Sequence, residues 1–114
     1  MSEISQALAI KAMDGLAMRQ TALAENIANS GSQVFSRRSV NFEDALRAAA
    51  AEGAGAVQAL VFNIEENGPG IAGQELRLDL EMQSSAATAM RYSALADLLG
   101  RQMQISRAAV RGGQ

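Results

Sequence analysis

The chain has 114 residues, 48 % hydrophobic and only 4 % aromatic, with a net charge of −2 and neither cysteine nor histidine. This composition excludes a disordered chain, disulfides, the usual catalytic triads and zinc sites built on His or Cys. The basic residues are spread out rather than gathered into a nucleic-acid-binding face, and no apolar run approaches the ~20 residues that span a bilayer.

Ala supplies much of the apolar count, and alanine buries little area. Such a chain suits one domain or one elongated unit whose helices lie against other helices, including those of other chains. Residues from about Ser2 to Ala28 read as one long amphipathic helix, with Ser2 or Ser5 placed to cap its start. Ile4, Leu8, Ala12, Leu16, Gln20, Leu23 and Ile27 form one stripe at helical spacing, widened by Met13 and Met18. Gln20 is the polar interruption and reads as an exposed edge position. Gly15, inside the helix, either permits close approach of another backbone or is merely tolerated, at ~1 kcal/mol against Ala. The helix stops in Asn26-Ile27-Ala28-Asn29-Ser30-Gly31, where Asn and Gly favour a left-handed closing residue. The opening Met1-Ser2-Glu3 lacks the basic and apolar segments of a cleavable signal peptide.

Residues 32–42 read as an extended segment with brief strand character, holding Phe35 and Phe42, two of the three phenylalanines. Two placements fit the rings: folded back on the first helix, or inserted between subunits as anchors. Arg37-Arg38 reads as a solvated charge pair. A short helix follows over Asn41 to Ala48, with Asn41 as cap and Glu43 and Asp44 at its positive end. Residues 53–75 are the least ordered by composition. A loose hairpin or an insert fits them equally, with a turn at Asn67-Gly68-Pro69-Gly70.

A second long helix runs from Leu78 or Asp79 to about Arg111, acidic at its start and basic at its end, as the helix dipole prefers. Met82, Ala86, Ala89, Tyr92, Ala96, Leu99, Met103, Ser106 and Val110 form a stripe; Leu95, Leu98, Gln102, Ile105 and Ala109 lie beside it. An arc that broad calls for more than one neighbour. The expected fold is mainly α: two long terminal helices packed as a coiled-coil-like hairpin around an extended middle. The parts are residues 1–30, 31–77 and 78–114. Because large buried side chains are few, the free chain is expected to be marginal and completed by assembly.

At this point the residues carry a resemblance. Leu23-x-x-Asn26-Ile27-Ala28-Asn29, then an extended segment, then Val40-x-Phe42-Glu43-x-x-Leu46, resembles the flagellar basal-body rod proteins. Asp79-Leu80-Glu81-Met82 and Ala89-Met90-Arg91-Tyr92-x-Ala94-Leu95-x-x-Leu98-Leu99 are similar to the proximal-rod (FlgB) family. Where that family carries a Thr-Pro-Gly-Tyr turn, this chain has Ser32-Gln33-Val34-Phe35, without the fixed φ of Pro or the freedom of Gly.

The resemblance implies a structural subunit of a helical tube that passes torque from motor to hook, exported by the flagellar type III apparatus without a cleaved signal. It implies copies of the chain, other rod proteins and the adapter to the membrane ring as neighbours. It involves no nucleic acid, no membrane span, no cofactor and no metal. The expected subunit-contact residues are Leu16, Leu23 and Ile27 on the first helix, and Asn26 and Asn29 pinning its end. Phe35 and Phe42 would reach across to a neighbour. Tyr92, Leu95, Leu98, Leu99 and Ile105 would lie on the second helix, its leucines and Ile105 forming the seam.

Two other classes compete. A freestanding helical oligomeric adaptor would form a stable dimer or tetramer. An enzyme would have to use the adjacent pairs Glu43-Asp44 or Glu65-Glu66, which on a helix point apart, and no phosphate-binding Gly loop is present. Catalysis is therefore not expected.

Overall fold

A computed structural model describes residues 1–32, 34–67 and 78–112. The fold is the expected one: mainly helical, with a long helix at each end and an extended middle. Helix α1 spans Glu3–Ala28 and helix α4 spans Leu78–Gly112. Between them lie strand β1 (Arg38–Ser39), helix α2 (Glu43–Glu52), helix α3 (Ala54–Ala59) and strand β2 (Glu65–Glu66). The turn expected at 67–70 lies, from Gly68 onward, outside the described residues.

Helix α1 begins as read. Ser2 is the cap, and its hydroxyl accepts from the Ser5 N–H at 3.1 Å. Every member of the predicted α1 stripe is buried or half-buried, which is the outcome expected of a helix with one working face. The closing turn differs from expectation. Asn29 sits at φ −104°, and among the described residues only Gly53 has a positive φ. The helix is closed by hydrogen bonding instead: the Asn29 N–H and its Nδ2 both donate to the Glu25 carbonyl. An asparagine that supplies two donors to the last turn has no need of the left-handed backbone.

Helix α4 runs antiparallel to α1. Asn26 meets Glu81, Gln20 meets Ser85, and Leu95 packs on the cluster around Leu16, so the order of contacts reverses. At 1.5 Å per residue α4 is ~14 Å longer than α1, and the hairpin is 66 Å long by 27 by 14 Å. The face that α4 turns to α1 takes in only part of the predicted stripe, Ala96 and Leu99. Glu81 and Thr88 are buried, with Ser85, Leu95, Ala96, Leu99 and Gln102 half-buried, while Met82, Ala86, Ala89 and Met103 are exposed. Polar side chains can occupy an inner face when partners are there, and Asn26 and Arg37 supply them for Glu81, as Gln20 does for Ser85.

Two clusters hold the middle segment onto the far side of α1. Ala7, Ala49 and Val57 bring α2 and α3 against the first half of the helix. Leu16, Ala22, Val40 and Phe42 bring the extended segment against the second half, with Phe62 and Ile64 alongside. The two strands pair antiparallel, Arg38 with Glu66 and Ser39 with Glu65. The strand pair joins the extended segment to residues 65–66 and is not a hairpin within 53–75, and helix α3 is a feature that periodicity did not reveal.

Helix α2 starts one residue later than the cap reading. Phe42 is its N-cap, without a side-chain cap bond, and Asn41 instead donates to Glu65 across the strand pair at 3.2 Å.

Candidate assembly interface

The segment that closes α1 is the joint of the molecule. Asn26 is completely buried and grips the backbone of Arg38 at both ends: its Nδ2 donates to the Arg38 carbonyl and its Oδ1 accepts from the Arg38 N–H, each at 2.8 Å. One amide side chain thus copies the pairing of a strand neighbour, which fixes where β1 lies along α1. The same Nδ2 donates to Glu81 of α4 at 3.3 Å. Glu81, 4 % exposed, is also ion-paired with Arg37. Arg38 in turn pairs with Glu25 and, at 3.5 Å, with Glu66. Three elements (the end of α1, the extended segment, the start of α4) therefore meet at one buried polar cluster. The expectation that Arg37-Arg38 is a solvated pair is overturned, because buried and half-buried carboxylates face both guanidiniums.

A second joint lies about two turns earlier, at Arg19. The Arg19 guanidinium donates from Nη2 to the Val40 carbonyl at 2.7 Å and holds the Glu43 carboxylate with Nη1 at 2.8 Å and Nη2 at 2.6 Å. It also lies 4.5 Å from the Phe42 ring centre. A bidentate fork over an aromatic face is a geometry that Arg makes and Lys does not. The hydrogen bonds from Arg19 hold the Glu43 pKa down at about 2, against an ordinary 4.5. Gly15 makes room for this joint. A Cβ there would stand 2.6 Å from Phe42 Cγ, so the ring packs directly on helix backbone. Close approach is the reading of Gly15 that holds, and the approaching group is a side chain.

These placements divide the expected contact residues. Leu16, Leu23, Asn26 and Phe42 are buried within the chain itself. Phe42 folds back on α1 and stacks on Phe62 at 5.5 Å, so it does not reach outward. Phe35 is half-buried with the Arg38 guanidinium 5.4 Å from its ring centre. Ile27, Asn29, Leu95 and Leu99 are half-buried along the hairpin. Tyr92, Leu98 and Ile105 face outward, at 40 %, 47 % and 61 % exposure. The seam expected of Leu95, Leu98, Leu99 and Ile105 thus splits: the first and third face α1, the other two face away from it.

Gln20 is corrected as well. Its Nε2 donates to Ser85 Oγ across the helix pair at 2.8 Å, so it is a cross-helix contact and not an exposed edge. Glu81, Arg37, Arg19 and Gly15 are the positions that sequence reasoning missed as joints. Only Gly15 carried a signal, a helix-breaking residue in an otherwise strong helix.

The outer surface is apolar in places that no part of the chain covers. Met82, Met90, Leu98, Met103, Ile105 and Val110 are all about half exposed or more. From Met103 onward every described residue of α4 is exposed. An open groove of about 460 Å³ follows the α1–α4 seam past Ala17, Thr21 and Ala24 on one side and Ala89, Tyr92 and Ser93 on the other. A second, of about 560 Å³, separates α1 from residues 60–64. Both are lined mainly by small or apolar side chains. Among the described residues no cluster of three or more carboxylates is placed to hold a metal, and no helix is long and apolar enough to cross a membrane. No model of a known protein family matches the chain, and no protein of curated function is similar to it.

Proposed function

We propose that this chain is a structural subunit of the bacterial flagellar basal-body rod, of the proximal-rod type, built into a helical tube that carries torque toward the hook. The supporting observation is the joint at Asn26. The Asn-Ile-Ala-Asn segment that carries the resemblance also carries the buried contacts tying both terminal helices to the extended segment. Torque transmission asks for stiffness rather than chemistry. Buried polar joints between antiparallel helices resist sliding, because a displaced register leaves the charged and amide groups that they pair without partners.

The second support is the uncovered surface of α4. A helix with exposed apolar residues on several sides is completed by neighbours. On this reading those neighbours are copies of the chain, other rod proteins and the adapter to the membrane ring. The protein reaches the periplasm-spanning rod through the flagellar type III apparatus without a cleaved signal. It uses no cofactor and catalyses no reaction.

Deletion of the encoding gene in a strain with a single copy is the deciding experiment. The expected result is a non-motile cell without hooks, restored by the gene on a plasmid. A deletion strain that still assembles hooks and swims would remove the rod reading.

A further inference from the structure

Among the described residues, the two ends of the hairpin differ in charge and are alike in carrying exposed apolar side chains. At one end α4 runs past α1. Residues 98–112 carry Arg101, Arg107 and Arg111 and no acid, and none of the three arginines pairs with another described residue. Met103 and Val110 continue there along the line of Leu99, 54 % and 69 % exposed, Met103 level with the start of α1 and Val110 beyond it. At the other end, where α1 stops and α4 starts, the described residues Glu25, Glu65, Glu66 and Glu81 stand against Arg37 and Arg38. Arg37 answers Glu81, and Arg38 is shared between Glu25 and, at 3.5 Å, Glu66, whose side chain stays 65 % exposed on the strand pair. Leu78, Leu80 and Met82 at this end are 42 %, 48 % and 57 % exposed.

We propose that the overhanging C-terminal turns of α4 in one copy pack on the opposite end of a second copy, so that copies join head to tail. Met103 and Val110 lie against the first turns of the neighbouring α4, and Arg107 and Arg111 face Glu65 and Glu66 of that neighbour. The occupant is a copy of this chain because each end supplies what the other lacks: apolar side chains at both, and opposite surplus charge. A heterologous contact of this kind does not close on itself, so it extends into a filament and not a dimer. Opposite charge at the two ends also steers the approach and sets the polarity, because like ends repel.

The inference rests on the reading that copies of this chain stack, and its test does not depend on a flagellum. The full chain is followed by sedimentation over a range of concentrations. The weight-average mass should keep rising beyond a dimer, and raising NaCl from 50 to 500 mM should weaken association ~10-fold or more, since such charges are screened beyond a few ångströms. R107E/R111E and E65R/E66R, each made on exposed positions, should remain monomeric alone. Mixed in equal amounts they should associate again, because every junction in an alternating chain then pairs acid with base. A chain ending at Gln102 should stay monomeric with unchanged helix content per residue.

A mass that plateaus at a dimer, a wild-type chain that stays monomeric to ~1 mM, or a mixture no more associated than its two components would each overturn the contact. A hookless deletion mutant combined with any of those results would leave the rod reading in place and remove only this junction. Filaments that obey the charge swap, from a gene whose loss leaves hooks intact, would do the reverse.

Discussion

Gly15→Ala separates two physical accounts of the same residue by the sign of its effect. Helix propensity alone favours the alanine by ~1 kcal/mol in a helix interior. Packing opposes it. The new Cβ would lie 2.6 Å from Phe42 Cγ and 2.7 and 2.8 Å from the two Cδ atoms. Cγ is the root of the ring, not its far end, and the ring is held between Phe62 and the Arg19 guanidinium. Relief therefore needs the extended segment to move, which drags on the Arg19 bonds to Val40 and Glu43.

Overpacking of this kind costs ~1–3 kcal/mol, which after the ~1 kcal/mol propensity gain leaves a net loss centred on about 1 kcal/mol. With a urea slope of ~1–1.5 kcal/mol/M for a small helical protein, the midpoint should fall by about 1 M. Far-UV circular dichroism follows it, with trimethylamine N-oxide counter-titrated to hold the folded baseline of a marginal chain. The double-mutant cycle with Phe42→Ala completes the test. Without the ring, Gly15→Ala should become stabilising by ~1 kcal/mol. If the alanine stabilises equally with and without Phe42, the close approach of ring to helix is wrong.

Three further outcomes follow from the joints. Asn26→Ala should cost ~2–4 kcal/mol, because it strips partners from the buried N–H and carbonyl of Arg38; amide exchange at Arg38 should rise by more than at residues of α2. Asn26→Asp should be worse than Asn26→Ala, since it sets a carboxylate beside Glu81 and against the Arg38 carbonyl, and an aspartate variant as stable as wild type would refute the assigned bonding. The Arg19–Glu43 joint predicts a pH effect. The Glu43 pKa is lower folded than unfolded, so its contribution is complete above about 4.5 and is lost as pH falls from there toward about 2. The full displacement corresponds to ~3 kcal/mol, but the carboxylate is half exposed and screened, so ~1 kcal/mol is expected; Glu43→Gln should flatten the stability profile across that window.

Several features were legible in the residues before any coordinates. Period and caps delimit the two long helices to within a residue or two, because those are local properties: Ser2 caps where a cap is needed, and the α1 stripe repeats at three and four. The breadth of the apolar arc on α4 was also readable, and it corresponds to a surface the chain leaves open. The direction in which that arc points was not. Hydrophobicity at helical spacing favours Met82, Ala86 and Ala89 as the inner face. Glu81 and Thr88 go inside instead, and Glu81 does so because Asn26 and Arg37 meet it there.

The same holds for Phe42, Gly15 and Arg19. Each is unremarkable alone, and their roles exist only because a chain separated by some twenty residues returns to α1 at that turn. Local pattern decides which residues coil into helices, since the free energy of a turn depends on near neighbours. Tertiary structure alone decides which polar groups find partners, since burying a charge is favourable only beside its complement, and that complement lies elsewhere in the chain.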